Sequence, residues 1–175
     1  MQQTSIASGG RGRPATGEPM GSEPLHRNGP PGSAMLRVSR RGRQVLLGVL
    51  AVSAAYVGVW ATIAPHDWYE QFPGLGMHWL QVLGPYNEHL ARDVGGLYLA
   101  LVVISVGALA RAEDASLTRI CGGAWAIFSV PHLVFHLAHL SMYTTRDQIL
   151  NVVTLGGTVL IAVTLLLFPY KGAST

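Results

Sequence analysis

Three histidines, His132, His136 and His139, stand at i, i+4 and i+7 in the run Pro131-His132-Leu133-Val134-Phe135-His136-Leu137-Ala138-His139. On an α-helix, at about 100° per residue, they fall within about 60° of one another on one face. Imidazole ligates zinc, copper and iron, and histidines at i and i+4 can hold one ion between them. Glu88, His89 and Asp93 form a second polar group at the head of another apolar run. The candidate metal set is therefore His132, His136, His139, His89, Asp93 and Glu88, with Cu, Fe or Zn as the ion, and Met77 and Met142 add thioethers suited to copper(I). Facing His89 with His132 or His136 would alternatively give the two axial ligands of a haem b, non-covalent because there is no CxxCH.

The same residues have other readings. Chains of His and Asp within a membrane relay protons, although four short helices enclose little volume for transport and no broken-helix pair is evident. They can also simply hydrogen-bond to each other, to Asn151 and to nearby threonines, fixing helix packing or a membrane-protein partner without any ligand. No HExxH, P-loop, Rossmann fingerprint or Ser-His-Asp set is present, so enzymatic activity has no motif behind it. The single cysteine, Cys121, excludes an intramolecular disulfide and reads as an inert buried thiol.

What must position these residues is a membrane. Only 12% of the 175 residues are charged, where soluble domains have about 25%, and the charges leave long stretches free. Four apolar spans follow: 44–64, 94–110, 120–140 and 149–168. The first covers about 30 Å at 1.5 Å per residue, the thickness of the hydrocarbon layer, and reads as an uncleaved signal anchor. The second is at the short end of the range. Residues 1–35 are rich in Gly, Pro and Ser without apolar periodicity, which predicts a disordered tail, and Met20 and Met35 are alternative starts. The expected fold is all-α: a four-transmembrane-helix bundle over 36–175 behind that tail.

With the N-terminus inside, seven basic residues lie on the cytoplasmic side (Arg37, Arg40, Arg41, Arg43, Arg111, Arg119 and Lys171) against two outside, Arg92 and Arg146. The positive-inside bias therefore predicts a multi-pass protein of the plasma (inner) membrane with both termini cytoplasmic. The four arginines at 37–43 act as topology signals that touch anionic lipid heads, so the net charge of +3 does not point to nucleic acid. The loop 65–92 carries Trp68, Tyr69, Phe72, Trp79 and Tyr86 and should lie on the membrane surface, with 77–83 either a short helix or irregular.

Helical spacing gives each span an expected inward face. On the third, Cys121, Trp125, Ser129 and Tyr143 extend the histidine stripe. The second offers His89, Asp93, Gly96, Ala100, Val103 and Gly107, the fourth Asn151, Thr154, Thr158 and Ala162, and the first Ser53, Tyr56 and Trp60. Gly156-Gly157 should allow close packing of the fourth span, and Pro131 should kink the third. Six of the seven histidines fall in the outer half.

The segment Asn87-Glu88-His89-Leu90-Ala91-Arg92-Asp93-Val94-Gly95-Gly96-Leu97-Tyr98-Leu99-Ala100-Leu101 resembles the start of the second span in small uncharacterised four-span membrane proteins of actinobacteria. Its Gly-Gly-Leu-Tyr-Leu-Ala-Leu portion is also similar to the broader DoxX-like group. That resemblance implies a four-helix membrane fold over about 44–170. The functional expectation is a small accessory or scaffold protein with a His-lined polar pocket near the outer leaflet, or alternatively a metal- or haem-binding redox protein using the same histidines.

Overall fold

The computed structural model of the protein describes residues 38–168. The expected tail and the alternative starts lie outside them, as does Lys171. The chain divides into two units, Met1–Ala34 and Met35–Thr175, and the helices belong to the second. They are α1 (Arg40–Ile63), a short α2 (Pro65–Gln71), α3 (Glu88–Ala110), α4 (Ala115–Ala138) and α5 (Thr145–Leu167). α1, α3, α4 and α5 are long and apolar enough to cross a membrane, and the fold is an all-α four-helix bundle of a multi-pass membrane protein.

The helices start four to six residues before the uncharged spans because each has a polar cap and first turn. Ser39, Asn87, Asp114 and Thr144 accept backbone N–H bonds at the four N-termini. Glu88 and Asp147 then sit in first turns, where the helix dipole favours negative charge. The second span, short when counted between charges, becomes a 23-residue helix.

Packing divides the bundle into two tight pairs. α1 meets α3 backbone to backbone at two glycines: a Cβ on Gly58 would lie 3.0 Å from Leu99 N, and one on Gly95 would collide with Thr62. α4 meets α5 at Gly122, where a Cβ would lie 2.7 Å from Leu166 N and 2.8 Å from Ala162 O. Close approach through small residues is how helices gain contact where lipid supplies no hydrophobic drive. Gly156 and Gly157, expected to do this, face open space instead, with nothing within 4 Å of either Cβ position. α4 runs through Pro131 as a continuous helix.

At one end of the bundle, here the arginine end, Arg43 is fully buried. Its guanidinium donates to the carbonyls of Ala112 (3.2 Å) and Phe168 (3.3 Å), just past the C-termini of α3 and α5. A cation joining two helix C-termini satisfies orphan carbonyls and complements both dipoles. The sequence expectation of a lipid-facing arginine is therefore corrected for Arg43, which shares the buried face of α1 with Leu47, Leu50 and Ala54 at i+4, i+7 and i+11. Arg40, by contrast, is exposed and pairs with Glu113. Above this plug Ser105 accepts from the Trp125 indole (2.9 Å) and contacts Cys121 Sγ (3.7 Å), clasping α3 to α4 inside the apolar core.

At the opposite, aromatic end, residues 64–87 fold over the bundle. α2 leads into a two-residue hairpin pairing Pro73 with His78 and Gly74 with Met77. Leu75 and Gly76 at its tip both have positive φ, the geometry of a tight type I′ turn. A 3-10 turn at Gln81–Leu83 follows. Segment 77–83 is thus a strand residue pair and one helical turn rather than a helix. Tyr56 donates to the Pro73 carbonyl (3.1 Å) and Tyr69 to that of Gly84 (2.6 Å), fastening this cap.

Candidate functional site

The histidine stripe of α4 does face the interior. Cys121, Trp125, Ser129 and His136 are buried along it, and Tyr143, in the turn before α5, continues it. Ile127, Val130, Val134 and Leu137 on the other side are exposed. The apolar majority facing lipid leaves only this stripe to pack against protein.

Two of the three histidines meet. His132 stacks on Phe128, with ring centres 5.3 Å apart, and meets His136 edge-on at 4.7 Å. His136 is 6% exposed, and its Nδ1 lies 3.3 Å from the Tyr143 hydroxyl. Tyr143 in turn donates to the backbone carbonyl of Trp79 at 3.1 Å, tying α4 to the cap. A hydroxyl has one proton and a carbonyl can only accept. Both contacts are therefore satisfied when His136 carries its proton on Nδ1 and donates it to Tyr143. That tautomer leaves Nε2 as a lone pair, with no hydrogen-bond partner among the described residues. Burial, reinforced by the Asp147 carboxylate, pushes Tyr143 up to about 12, so the hydroxyl stays protonated.

His139 is not part of this pair. Its ring stacks on Phe135 at 4.2 Å and its Nδ1 lies 2.7 Å from the Phe135 carbonyl, at the C-cap of α4. Glu88, His89 and Asp93 are further away in role. Glu88 binds Arg92 (2.9 Å), and His89 pairs with Asp93 (3.3 Å) with 88% of its own side chain exposed. The expected inward face of α3 is corrected accordingly: Gly96, Ala100 and Val103 are exposed, and Ala91, Gly95, Leu101, Ser105 and Ala108 are buried. α3 carries small residues on two faces, and Gly95 can approach α1 while its first-turn charges remain at the helix end. The six-residue metal set is thus not gathered, and His89 is an exposed partner of Asp93 at the start of α3. Among the described residues no group of three or more His, Cys, Asp or Glu is placed to hold a metal ion.

What the two histidines do line is a cavity of about 940 Å³ between the two helix pairs, at the aromatic half of the bundle. Tyr98, Trp125 and Phe128 pack edge-to-face beside it. Trp68, Phe72 and Trp79 of the cap close it from the loop side. Among the described residues no Asp, Glu, Lys or Arg lines it. Comparison of the chain with protein-family models, curated proteins and solved structures finds no match. The site's meaning therefore rests on its own chemistry.

That chemistry is of a mostly apolar chamber, rich in aromatic rings, with an imidazole pair at its polar edge. α1 and α5 hardly touch, and Val49, Ser53 and Tyr56 of α1 and Thr154 of α5 are exposed members of the lining, whereas Val57 is buried and Leu150, Leu155, Thr158 and Ile161 are half-buried. The chamber thus opens sideways at membrane depth. Gly157 also lines it. Ser53, Tyr56, Thr154 and Thr158 were legible as polar members of α1 and α5. The inward role of Trp68, Phe72 and Trp79 was not, since interfacial anchors and cavity walls share the same residue types.

Proposed function

We propose that the protein is a non-enzymatic small membrane protein of the plasma (inner) membrane that binds a lipid-soluble small molecule in this cavity. The observation that carries the reading is the cavity itself: about 940 Å³, lined mainly by apolar and aromatic side chains, with no Asp, Glu, Lys or Arg among its described lining residues, opening between α1 and α5. A chamber of this size in a 175-residue chain is not needed for packing, because interiors close voids wherever side chains can fill them. Both termini are cytoplasmic, on the seven-to-two distribution of basic residues, so the cavity belongs to the outer half of the bilayer. An accessory role, holding the molecule for a partner membrane protein, fits a chain with no catalytic motif. Its relationship to four-span proteins of actinobacteria and to the DoxX-like group remains part of this proposal.

Extraction and mass spectrometry of detergent-purified full-length protein test it. An apolar compound should co-purify at close to one per chain. In Gly157→Phe it should be lost with no fall in thermal stability, because the new side chain starts from a Cβ position with nothing within 4 Å and grows into the chamber. An unloaded parent protein that takes up no lipid would end this reading.

A further inference from the structure

We propose that the cavity selects a neutral lipid carrying a free hydroxyl, held by Nε2 of His136. The inference rests on the lipid-binding reading above and concerns which lipids are held. Its basis is a chain of two hydrogen bonds that fixes the polarity of one buried atom. Trp79 offers a carbonyl, which accepts the Tyr143 proton (3.1 Å), and Tyr143 Oη then accepts from Nδ1 of His136 (3.3 Å). His136 is 6% exposed, lines the cavity and has no other hydrogen bond among the described residues, so Nε2 presents an unshared lone pair to the chamber. A lone pair in an apolar setting rewards a donor and penalises a carbonyl or ether oxygen placed against it. Among the described residues the lining has no Arg or Lys to pair a phosphate and no Asp or Glu to pair an ammonium. Donor-bearing, uncharged and long-chained describes diacylglycerols and prenyl alcohols alike. His132, half-buried beside His136 with neither ring nitrogen hydrogen-bonded to a described residue, can meet a second polar atom of the head.

The test uses full-length protein in detergent with five probes: dioleoylglycerol and its acetate ester, geranylgeraniol and its acetate, and dioleoyl phosphatidic acid. Native mass spectrometry reads the bound fraction of each. Each free alcohol should bind on the order of tenfold tighter than its acetate, the effect of one hydrogen bond in a dry site, and phosphatidic acid should not compete. A preference confined to one alcohol pair assigns the source as acylglycerol or prenol. In His136→Phe the alcohol-to-acetate ratio should fall to about one. If that variant does not fold, Tyr143→Phe serves: it frees Nδ1 from its acceptor, lets the imidazole change tautomer, and should shrink the ratio while leaving both probes bound. Equal binding of alcohol and acetate by the parent protein overturns the hydroxyl selection and leaves the cavity reading standing. Failure of all five probes, or binding untouched by Gly157→Phe, overturns the cavity reading as well.

Discussion

Each end of the bundle is held by an arginine bonded to helix C-terminal carbonyls, yet the two arginines live in opposite environments. At the arginine end Arg43 is wholly buried between the ends of α3 and α5. At the aromatic end Arg92, half exposed, reaches the Thr62 carbonyl in the last turn of α1 (2.8 Å) while also binding Glu88. The first bonds one buried and one part-buried carbonyl from a position closed to water, and the second competes with water that is already there. The arginine end is consequently a closed joint and the aromatic end a dressed opening. Four buried polar atoms at the aromatic end, Trp68 Nε1, Trp79 Nε1, Asp147 Oδ1 and Asn151 Oδ1, have no hydrogen-bond partner among the described residues. Each such group costs about 1–3 kcal/mol, so this is the end with less stability to lose and more freedom to rearrange around a ligand.

The largest expected effect comes from breaking that contrast at Arg43. Arg43→Leu leaves the buried Ala112 carbonyl and the part-buried Phe168 carbonyl without this donor and should cost about 3–5 kcal/mol. Arg43→Lys should recover only part, because one ammonium cannot span two acceptors as a fork does. Arg92→Met should cost under about 1 kcal/mol, as exposed pairs generally do. Denaturant unfolding in mixed micelles measures all three, and a loss at Arg92 equal to that at Arg43 would refute the distinction.

A smaller effect separates the glycines. Gly122→Ala drives a Cβ into the backbone of α5, where Leu166 N and Ala162 O cannot rotate away, and should cost about 2 kcal/mol. Gly156→Ala meets nothing within 4 Å and should be neutral or stabilise by up to about 1 kcal/mol through helix propensity. The same denaturant unfolding decides it. Reversed signs would mean that α4 and α5 pack on other faces.

These residues also show what the sequence could and could not disclose. The four spans, the caps at Ser39, Asn87, Asp114 and Thr144, and the inward stripe of α4 are local properties of pattern, and local physics determined them. The face of α3 was misread because its small residues lie on two sides, and only the partner surface of α1 chooses between them. Arg43 stands among four arginines that look alike in a charge count. Its i+4, i+7 and i+11 alignment with Leu47, Leu50 and Ala54 was the available sign that it points inward. The His132–His136 pair was legible as spacing. Its separation from His89 and Asp93 depended on long-range packing, and a cavity leaves no mark in sequence at all.

A loss of about 1 kcal/mol, for the hydrogen bond removed in Tyr143→Phe, carries a pH signature confined to the aromatic end. Burial and the neighbouring Asp147 carboxylate push Tyr143 up to about 12, above its ordinary value of 10.0. A folded-state value raised above the unfolded one means that the folded cap holds its proton where the unfolded chain has released it. The contribution is then fully present below pH 10, declines from there, and is gone above about pH 12. Since Tyr143 must be a phenol to donate to the Trp79 carbonyl, its ionisation breaks the bond that ties α4 to the cap, while the phenolate oxygen still accepts from His136 Nδ1. Raising the pH through this window should shift the emission of Trp68 and Trp79 in the cap and release bound ligand, before the core around Trp125 unfolds. Single-tryptophan variants read the two ends separately. In Tyr143→Phe the cap should already be looser at neutral pH, and its alkaline step should be absent. A step that persists in that variant would assign the titration to another group and remove Tyr143 as the link between cap and histidine.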